Sequence, residues 1–280
     1  MMGSSVFTGK LALEDALATK DAAGVDVREA LEVTACLGTS DGPPPVYYAE
    51  IHIEQGRGME RDGVVIGAVE SNWAANKYQF VVHGEQSHTG STIMADRQDS
   101  LLGASLLVVA ARNVADPFPD GVLHTSVGQL DVYPNSPVVV ASRVTLLLDL
   151  RSADEEALGA ADRLLHEQLP VIEERARVRI EKTGSHCWPV TPYQLEGVEL
   201  AEKIAANRGL KHARVKTLAG HDSTNMKDIV PTVMLFVPSV DWISHNEHEY
   251  TTDEDIVDGL HVLTDVVRAL CLGELDQHAD

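Results

Sequence analysis

The chain has 280 residues, 44% of them hydrophobic, and a formal net charge of −21. This length is sufficient to bury a sizeable core in one or two domains, and the acidic charge without a basic cluster excludes nucleic acid and anionic membrane surfaces as partners. No apolar run is long enough to span a bilayer, no signal-peptide pattern opens the chain, and the 3 cysteines are widely spaced. We therefore expect a cytoplasmic protein.

The first part of the chain predicts two helices and then a strand. Apolar residues recur at helical spacing over 11–20 and again over 27–36. A proline-rich run at 41–45 interrupts this pattern. An apolar strand follows at 46–53, and a turn at 61–63 predicts a hairpin that leads into a second strand.

The strand at 46–53 ends in the heptapeptide Glu50-Ile51-His52-Ile53-Glu54-Gln55-Gly56. Side chains alternate between the two faces of a strand, so His52 shares a face with Glu50 and Glu54 while the isoleucines face the core. A neutral imidazole on the polar face of a strand end is suited to bind a metal ion. A histidine that only makes a surface hydrogen bond is the competing interpretation.

The segment 74–188 has the element order of a separate inserted domain. Its predicted order is strand, helix, strand, strand, helix, strand, which is the split βαβ pattern. The first helix, at 100–114, is unusually apolar, and the second begins with a capping box that starts at Ser152. The strands are predicted at 78–82, 123–132, 138–150 and from Val178 onwards.

After residue 188 the chain returns to alternating helices and strands. We predict a helix at 195–208, a buried strand at 232–236 and a final helix that begins near Thr252. The apolar stripe of this last helix is predicted to consist of Ile256, Leu260, Leu263, Val267 and Leu270. The fold class is therefore α/β, with a body formed by 1–73 and 189–280 into which an α+β domain is inserted at 74–188.

Six short polar motifs follow one another along the chain. They are the heptapeptide around His52, Ser87-His88-Thr89-Gly90, Pro134-Asn135-Ser136, Asp149-Leu150-Arg151-Ser152, Ala219-Gly220-His221-Asp222 and Ser244-His245-Asn246-Glu247-His248-Glu249. Their identity and order resemble the amidohydrolase branch of the zinc aminoacylase and carboxypeptidase superfamily, which holds N-carbamoyl-L-amino acid hydrolases, allantoate amidohydrolases and β-ureidopropionases. The resemblance implies a zinc-peptidase-like α/β/α body with an inserted ferredoxin-like dimerisation or lid domain.

The resemblance also implies a site for two divalent metal ions. It assigns His52 to one ion and His245 to the other, with His248 as the competing candidate for the second position. Zinc is the expected metal, and manganese, cobalt and nickel suit the same types of ligand.

Other parts of the family's metal site have no counterpart in this sequence. Residues 1–51 contain no histidine, and Glu-Glu pairs occur only at 155–156 and 173–174, inside a predicted helix of the inserted domain. The remaining ligands and the general base that the family takes from its N-terminal motifs are therefore missing. We expect an N-terminally truncated form of the family enzyme that is inactive on its own.

Arg151 is the candidate for binding the carboxylate of a substrate. It ends a long apolar strand, and a guanidinium there can hold a carboxylate through two parallel hydrogen bonds. The alternative is a structural ion pair with Asp149 or Asp154.

Further substrate contacts are implied by the resemblance. His88 corresponds to a histidine that reaches the active site of the partner subunit and stabilises the developing oxyanion. Asn135 corresponds to its hydrogen-bonding companion, and ordinary turn chemistry is the alternative reading of that residue. The amide or ureido end of the substrate is assigned to Gln55, Gly220 and His221. Asp222 either orients His221 or caps the next helix.

The predicted function is metal-dependent hydrolysis of a linear amide C–N bond in N-carbamoyl-L-amino acids or related ureido acids. The expected partners are a small ureido carboxylate substrate and a second copy of the chain in a homodimer, and allantoate is the alternative substrate. Two further hypotheses come from other classes. The chain is either a catalytically dead dimerisation or binding module, or one half of a split enzyme that a separate N-terminal chain completes.

Overall fold

The computed structural model describes residues 1–21, 23–39 and 42–275. The chain divides into two compact units, which we call the body (Met1–Asn72 with Pro192–Asp280) and the insert (Trp73–Thr191). The sequence-based prediction had placed the inserted domain at 74–188. None of the described helices is both long enough and apolar enough to cross a membrane.

Three short helices open the chain, and strands and helices follow in mixed order. The α-helices are α1 (Met2–Phe7), α2 (Leu13–Leu17), α3 (Val27–Val33), α4 (Gly58–Asp62), α5 (Ser100–Asn113), α6 (Glu155–Ala176), α7 (Leu195–Asn207), α8 (Ser223–Met226) and α9 (Asp253–Cys271). The strands are β1 (Tyr48–Ile53), β2 (Ile66–Asn72), β3 (Ala74–His83), β4 (Ser87–His88), β5 (Leu123–Tyr133), β6 (Val139–Val140), β7 (Arg143–Ser152), β8 (Arg179–Trp188), β9 (His212–Thr217) and β10 (Thr232–Val237).

The body is built on a four-stranded mixed sheet in the order β1-β10-β2-β9. β1 runs parallel to β10, β2 runs antiparallel to β10, and β9 runs parallel to β2. All 6 residues of β10 are buried, as its apolar sequence predicts for an interior strand. Helices α7 and α9 pack on this sheet and complete the core of the body. The arrangement confirms the predicted α/β class.

The predicted hairpin after β1 is wrong. Residues of the expected turn belong to α4, and β2 pairs with β10 and β9 rather than with β1. The cause is Glu54, whose carboxylate accepts hydrogen bonds from the backbone N–H groups of Gly58 (3.1 Å) and Met59 (3.0 Å). These N–H groups have no partner within the helix itself, so a carboxylate from outside stabilises the helical turn.

The predicted apolar stripe of α9 is confirmed at Leu270 and at the partly buried Leu263, and it is wrong at its other three positions. The helix buries Gly259 together with Val262, Val266, Ala269 and Leu270, whereas Ile256 and Leu260 are 50% and 57% exposed. A Cβ atom at Gly259 would lie 2.5 Å from Cγ1 of Val237 and 2.7 Å from Cδ1 of Ile51. The glycine allows the helix to approach the sheet closely, and this contact decides which face is buried.

The insert is built on a four-stranded antiparallel sheet in the order β5-β7-β3-β8. Helices α5 and α6 pack on it, and the short strands β4 and β6 form a separate ribbon. The largest fully buried side chains of the insert are Phe80, Leu107, Leu146, Leu148, Leu150 and Leu165.

The predicted capping box at Ser152 is displaced by two residues. The N-cap of α6 is Asp154, whose carboxylate accepts from the backbone N–H groups of Glu156 and Ala157. Ser152 remains in β7, where its hydroxyl donates to the carbonyl oxygen of Val122 at 2.6 Å. Ser152 and Asp154 are both residue types that cap helices. Because β7 extends as far as Ser152, the cap falls on Asp154.

Candidate functional site

The polar face of β1 carries Tyr48, Glu50 and His52, as strand alternation predicts. The Nδ1 atom of His52 lies 2.9 Å from the carbonyl oxygen of Ile53. A carbonyl only accepts, so Nδ1 donates its hydrogen and the neutral ring keeps a lone pair on Nε2. This tautomer leaves Nε2 of His52 able to bind a metal ion or accept a proton.

His221 lies in the turn between β9 and α8, and its side chain is only 3% exposed. Its ring centroid is 4.5 Å from that of His52 and 5.3 Å from that of Phe236 in β10. Nε2 of His221 is buried and has no hydrogen-bond partner among the described residues. An unpaired buried polar atom costs about 1–3 kcal/mol, so it marks a position where a ligand atom would be stabilising.

Burial determines the charge of His221. The pKa of His221 is lowered to about 4, chiefly because burial removes its hydration and secondly because of the neighbouring His52, while Asp222 opposes the shift. His221 is therefore neutral at pH 7, and it takes part in hydrogen bonding without a positive charge.

Glu50 connects β1 to the turn that carries His221. Its Oε2 atom accepts the backbone N–H of Ser223 at 2.8 Å and the hydroxyl of Tyr48 at 3.3 Å. Its other oxygen, Oε1, lies 3.9 Å from Nδ1 of His221. Burial and the carboxylate of Glu50 raise the pKa of Tyr48, which keeps that hydroxyl protonated.

Asp222 does not cap α8 with its side chain, although it occupies the N-cap position. Glu50, from a different strand, accepts the N–H of the first helical residue instead. Sequence reasoning missed this role of Glu50. The only signal was that Glu50 and His52 share a strand face.

Gln55 and Gly220 flank this part of the body. Gln55 follows β1 with a left-handed backbone (φ 58°), and its N–H donates to Oγ of Ser239 at 3.1 Å. Gly220 directly precedes His221, and the side chain of Met1 lies against it. Glu54, predicted on the face of His52, is bound to the backbone of α4 instead.

His245 lies in an exposed loop with a left-handed backbone (φ 58°), and its N–H donates to Oε2 of Glu249 at 3.1 Å. The N–H of the competing candidate, His248, donates to Oδ1 of Asn246 at 2.7 Å. Within the part of the chain that the structure describes, no group of three or more His, Cys, Asp or Glu residues is arranged to hold a metal ion. The described residues therefore do not fit a complete metal site by themselves.

Arg151, in the insert, is bound to Asp149. Its Nε and Nη2 atoms donate to Oδ2 of Asp149 at 3.0 and 2.6 Å, and Nζ of Lys77 lies 3.2 Å from the same oxygen. The ion pair with Asp149, the alternative reading of Arg151, is thus present. Two cations share one carboxylate, so Arg151, Lys77 and Asp149 together carry a net positive charge. Burial and Arg151 both lower the pKa of the adjacent His124.

His88 lies in β4 and is exposed. Its Nδ1 atom accepts the backbone N–H groups of Gly90 (2.9 Å) and Ser91 (3.2 Å), so the neutral ring carries its hydrogen on Nε2. In this tautomer Nε2 is the nitrogen of His88 that can donate a hydrogen bond. Asn135 has a left-handed backbone (φ 52°), which is typical of asparagine in turns.

The comparisons with known proteins agree on one family. A family model described as peptidase family M20/M25/M40 matches residues 16–269. A relative from Mycolicibacterium smegmatis, named as a hydrolase, is 54% identical over 282 residues, which is 99% of this chain and 64% of the relative. An N-carbamoyl-L-amino-acid amidohydrolase from Rhizobium meliloti is 33% identical over 267 residues, 94% of this chain and 64% of that protein.

A solved structure shows the same fold. The crystal structure of an amidase of the hydantoinase/carbamoylase family from Burkholderia vietnamiensis matches with a TM-score of 0.89 and 30% identity, over 95% of this chain and 65% of that chain. The chain therefore spans just under two thirds of the length of each of these three proteins.

Proposed function

The chain belongs to peptidase family M20/M25/M40, and on that premise we propose that it serves the hydrolysis of a linear amide C–N bond in N-carbamoyl-L-amino acids or related ureido acids. The observation that carries the proposal is the buried neutral His221, whose Nε2 has no hydrogen-bond partner among the described residues and whose ring lies beside that of His52. The name of the Rhizobium meliloti relative supports the substrate class.

In this proposal the body holds the amide or ureido end of the substrate. Gln55, Gly220 and His221 contact that end, and His52 binds a divalent metal ion, zinc in the first instance. His245 would bind the other ion of the pair. The described residues do not form a complete metal site, and the proposal therefore assigns the remaining ligands and the general base to residues beyond them and expects the chain alone to be inactive.

The insert contributes the groups that recognise charge. Arg151 binds the carboxylate of the substrate, and the net positive charge that it forms with Lys77 and Asp149 supports this role. His88, with its hydrogen on Nε2, donates to the developing oxyanion in the partner subunit, with Asn135 beside the same oxygen.

We also propose that the insert forms a homodimer through α5. Leu101, Leu102 and Val109 of this helix are 41%, 40% and 54% exposed in the single chain. Light scattering at micromolar concentration should give the mass of a dimer, and Val109→Asp should shift it to that of a monomer. The matched control is Val171→Asp on α6, an equally exposed valine (57%). A monomeric wild-type chain would contradict the proposal.

The activity is tested by ammonia release from N-carbamoyl-L-amino acids and allantoate with added zinc, manganese or cobalt. The chain is assayed alone and then together with a polypeptide made from the part of the Mycolicibacterium smegmatis relative that lies outside the match. We expect turnover only in the mixture, and its loss in His52→Ala and His245→Ala. The control is His261→Ala, an exposed histidine on α9.

Robust turnover by the chain alone would contradict the expectation that the isolated chain is inactive. Another base would then exist, and Glu54 or Glu249 would be tested first. Hydrolysis of dipeptides in place of ureido acids by the mixture would overturn the substrate class.

A second candidate function is a binding module that does not catalyse hydrolysis. The lack of a three-residue metal-binding group among the described residues favours it. It predicts that N-carbamoyl carboxylates bind to the chain in calorimetry while neither the chain nor the mixture releases ammonia.

A further inference from the structure

We propose that Glu50 is a positioning residue that holds the His221 ring with its hydrogen on Nδ1, so that Nε2 accepts a hydrogen bond from an N–H of the substrate. The inference rests on the proposed function, because it takes the substrate to carry an amide or ureido group. It adds the role of Glu50, the direction of the hydrogen bond and a requirement for an N–H on the ligand.

The first step is the location of Glu50. Its side chain is 17% exposed and lies two positions before His52 on the same face of β1. Through Oε2 it accepts the backbone N–H of Ser223 at 2.8 Å. The hydroxyl of Ser223 in turn lies 2.9 Å from that of the buried Tyr193. The turn with His221 is therefore fastened to the strand with His52 by a charge-assisted hydrogen bond.

The second step is the orientation of the ring. Nδ1 of His221 is the nitrogen that faces Glu50, 3.9 Å from Oε1. A carboxylate beside one nitrogen of a neutral imidazole favours the tautomer with the hydrogen on that nitrogen. The other nitrogen, Nε2, then presents a lone pair and accepts.

The third step is the identity of the ligand atom. Nε2 of His221 is buried, and no described residue donates to it. An accepting nitrogen is satisfied by a donor, and the N–H groups of an amide or a ureido group are donors. The same hydrogen bond is impossible for a ligand in which the N–H hydrogens are replaced by methyl groups. Glu50 thus acts on ligand selection through His221.

The test determines the tautomer of His221 by NMR in protein labelled with nitrogen-15 at its histidines. Long-range nitrogen–proton correlations are recorded at one fixed pH of about 7.5. His221→Ala assigns the signals. We expect hydrogen on Nδ1 in the wild type and a shift towards Nε2 in Glu50→Ala. Glu50→Gln, which keeps an acceptor for Ser223, should be intermediate.

The matched control is Glu54→Ala. Glu54 is also a carboxylate at the end of β1 that accepts backbone N–H groups at the start of a helix. It therefore reproduces the structural consequence of losing such a contact, while the tautomer of His221 should not change. Circular dichroism melting curves check that each variant is folded, and Glu50→Gln keeps the test decisive if Glu50→Ala is not.

A second measurement titrates N-carbamoylglycine and its fully N-methylated analogue, in which methyl groups replace the N–H hydrogens of both nitrogens, into each protein. The wild type should prefer the first ligand by about five- to tenfold, the range expected for one hydrogen bond. Glu50→Ala should lose this preference. Hydrogen on Nε2 in the wild type, or an unchanged tautomer in Glu50→Ala, would overturn the role of Glu50. The expected tautomer shift in a chain that binds neither ligand would refute the substrate class and leave the positioning role supported.

Discussion

The histidine site of the body and the arginine site of the insert differ in whether their polar atoms already have partners within the protein. In the body, His221 is almost fully buried and neutral, and its Nε2 has no partner among the described residues. In the insert, Arg151 and Lys77 both bind one oxygen of Asp149, so the charges are paired before any ligand arrives. A neutral nitrogen without a partner favours a ligand that donates a hydrogen bond, whereas a cation that is already paired favours a ligand with negative charge.

The difference teaches which kind of contact each unit can supply. The ring of His221 gains a complete hydrogen bond from a neutral donor, because its nitrogen gives up no existing partner. Asp149 holds Arg151 in a fixed orientation, and in the proposed function a substrate carboxylate would join this pairing, attracted by the positive charge of Arg151 and Lys77 together. The predictions below test this comparison, from the largest expected effect to the smallest.

The largest effect is expected from His52→Ala. The variant chain is mixed with the polypeptide made from the part of the Mycolicibacterium smegmatis relative that lies outside the match. Loss of a residue that only hydrogen-bonds to a metal ligand lowers activity by up to about 100-fold. Removal of the proposed ligand itself should therefore lower kcat/KM by more than that. The measurement is ammonia release with added zinc. The exposed His261→Ala serves as control, and a variant with wild-type activity would remove His52 from the site.

The next effect concerns pH. The folded-state pKa of His221 is about 4, below its usual 6.5, so between these values the unfolded chain binds more protons than the folded chain. Stability from this residue is complete above pH 6.5 and falls as the pH drops towards 4, by about 3 kcal/mol at 1.4 kcal/mol per unit. Urea unfolding at several pH values should show this slope in the wild type. His221→Gln should lose that slope and His261→Gln should keep it, and an equally steep slope in His221→Gln would assign the acid sensitivity to other groups.

A third prediction compares one helix of each unit. Gly259→Ala in α9 places a methyl group against Val237 and Ile51, and overpacking of this kind should destabilise the body by about 1–3 kcal/mol. Gly159→Ala in α6 of the insert meets only the end of the Arg163 side chain at 3.6 Å. That variant should be neutral or slightly stabilised, because alanine is the better helix former. Equal loss of stability in both variants, measured by urea unfolding, would contradict the close approach of α9.

The smallest effect is expected from Arg151→Lys. The lysine keeps the positive charge but loses the planar arrangement of donors, so the Kd for N-carbamoylglycine should rise by about tenfold. A ligand with an amide in place of the carboxylate should bind both proteins equally. Arg143→Lys, on the same strand and stacked over Tyr133, is the control. If calorimetry shows the same Kd for wild type and Arg151→Lys, the carboxylate is bound elsewhere.

Periodicity in the sequence was sufficient for the long regular elements. The alternation in β1, the apolar run of β10 and the long helices α5 and α6 all depend on neighbours within a few residues, and these predictions match the structure. The family was also predictable, because the motifs around His52 and His221 are local patterns with a fixed order.

The sequence by itself determined which residues can perform a given chemistry, and the tertiary structure alone decided which of them meet. Glu50 lies in β1 and Glu54 directly follows that strand, yet the first binds the turn of His221 and the second the start of α4. The partners of Glu54 lie within five residues of it, whereas Ser223 is 173 positions from Glu50, so a local pattern cannot show the contact that Glu50 makes. The buried face of α9 was likewise decided by close contact of Gly259 with two strands. Contacts between distant segments depend on the shapes of both partners, and a local pattern contains only one of them.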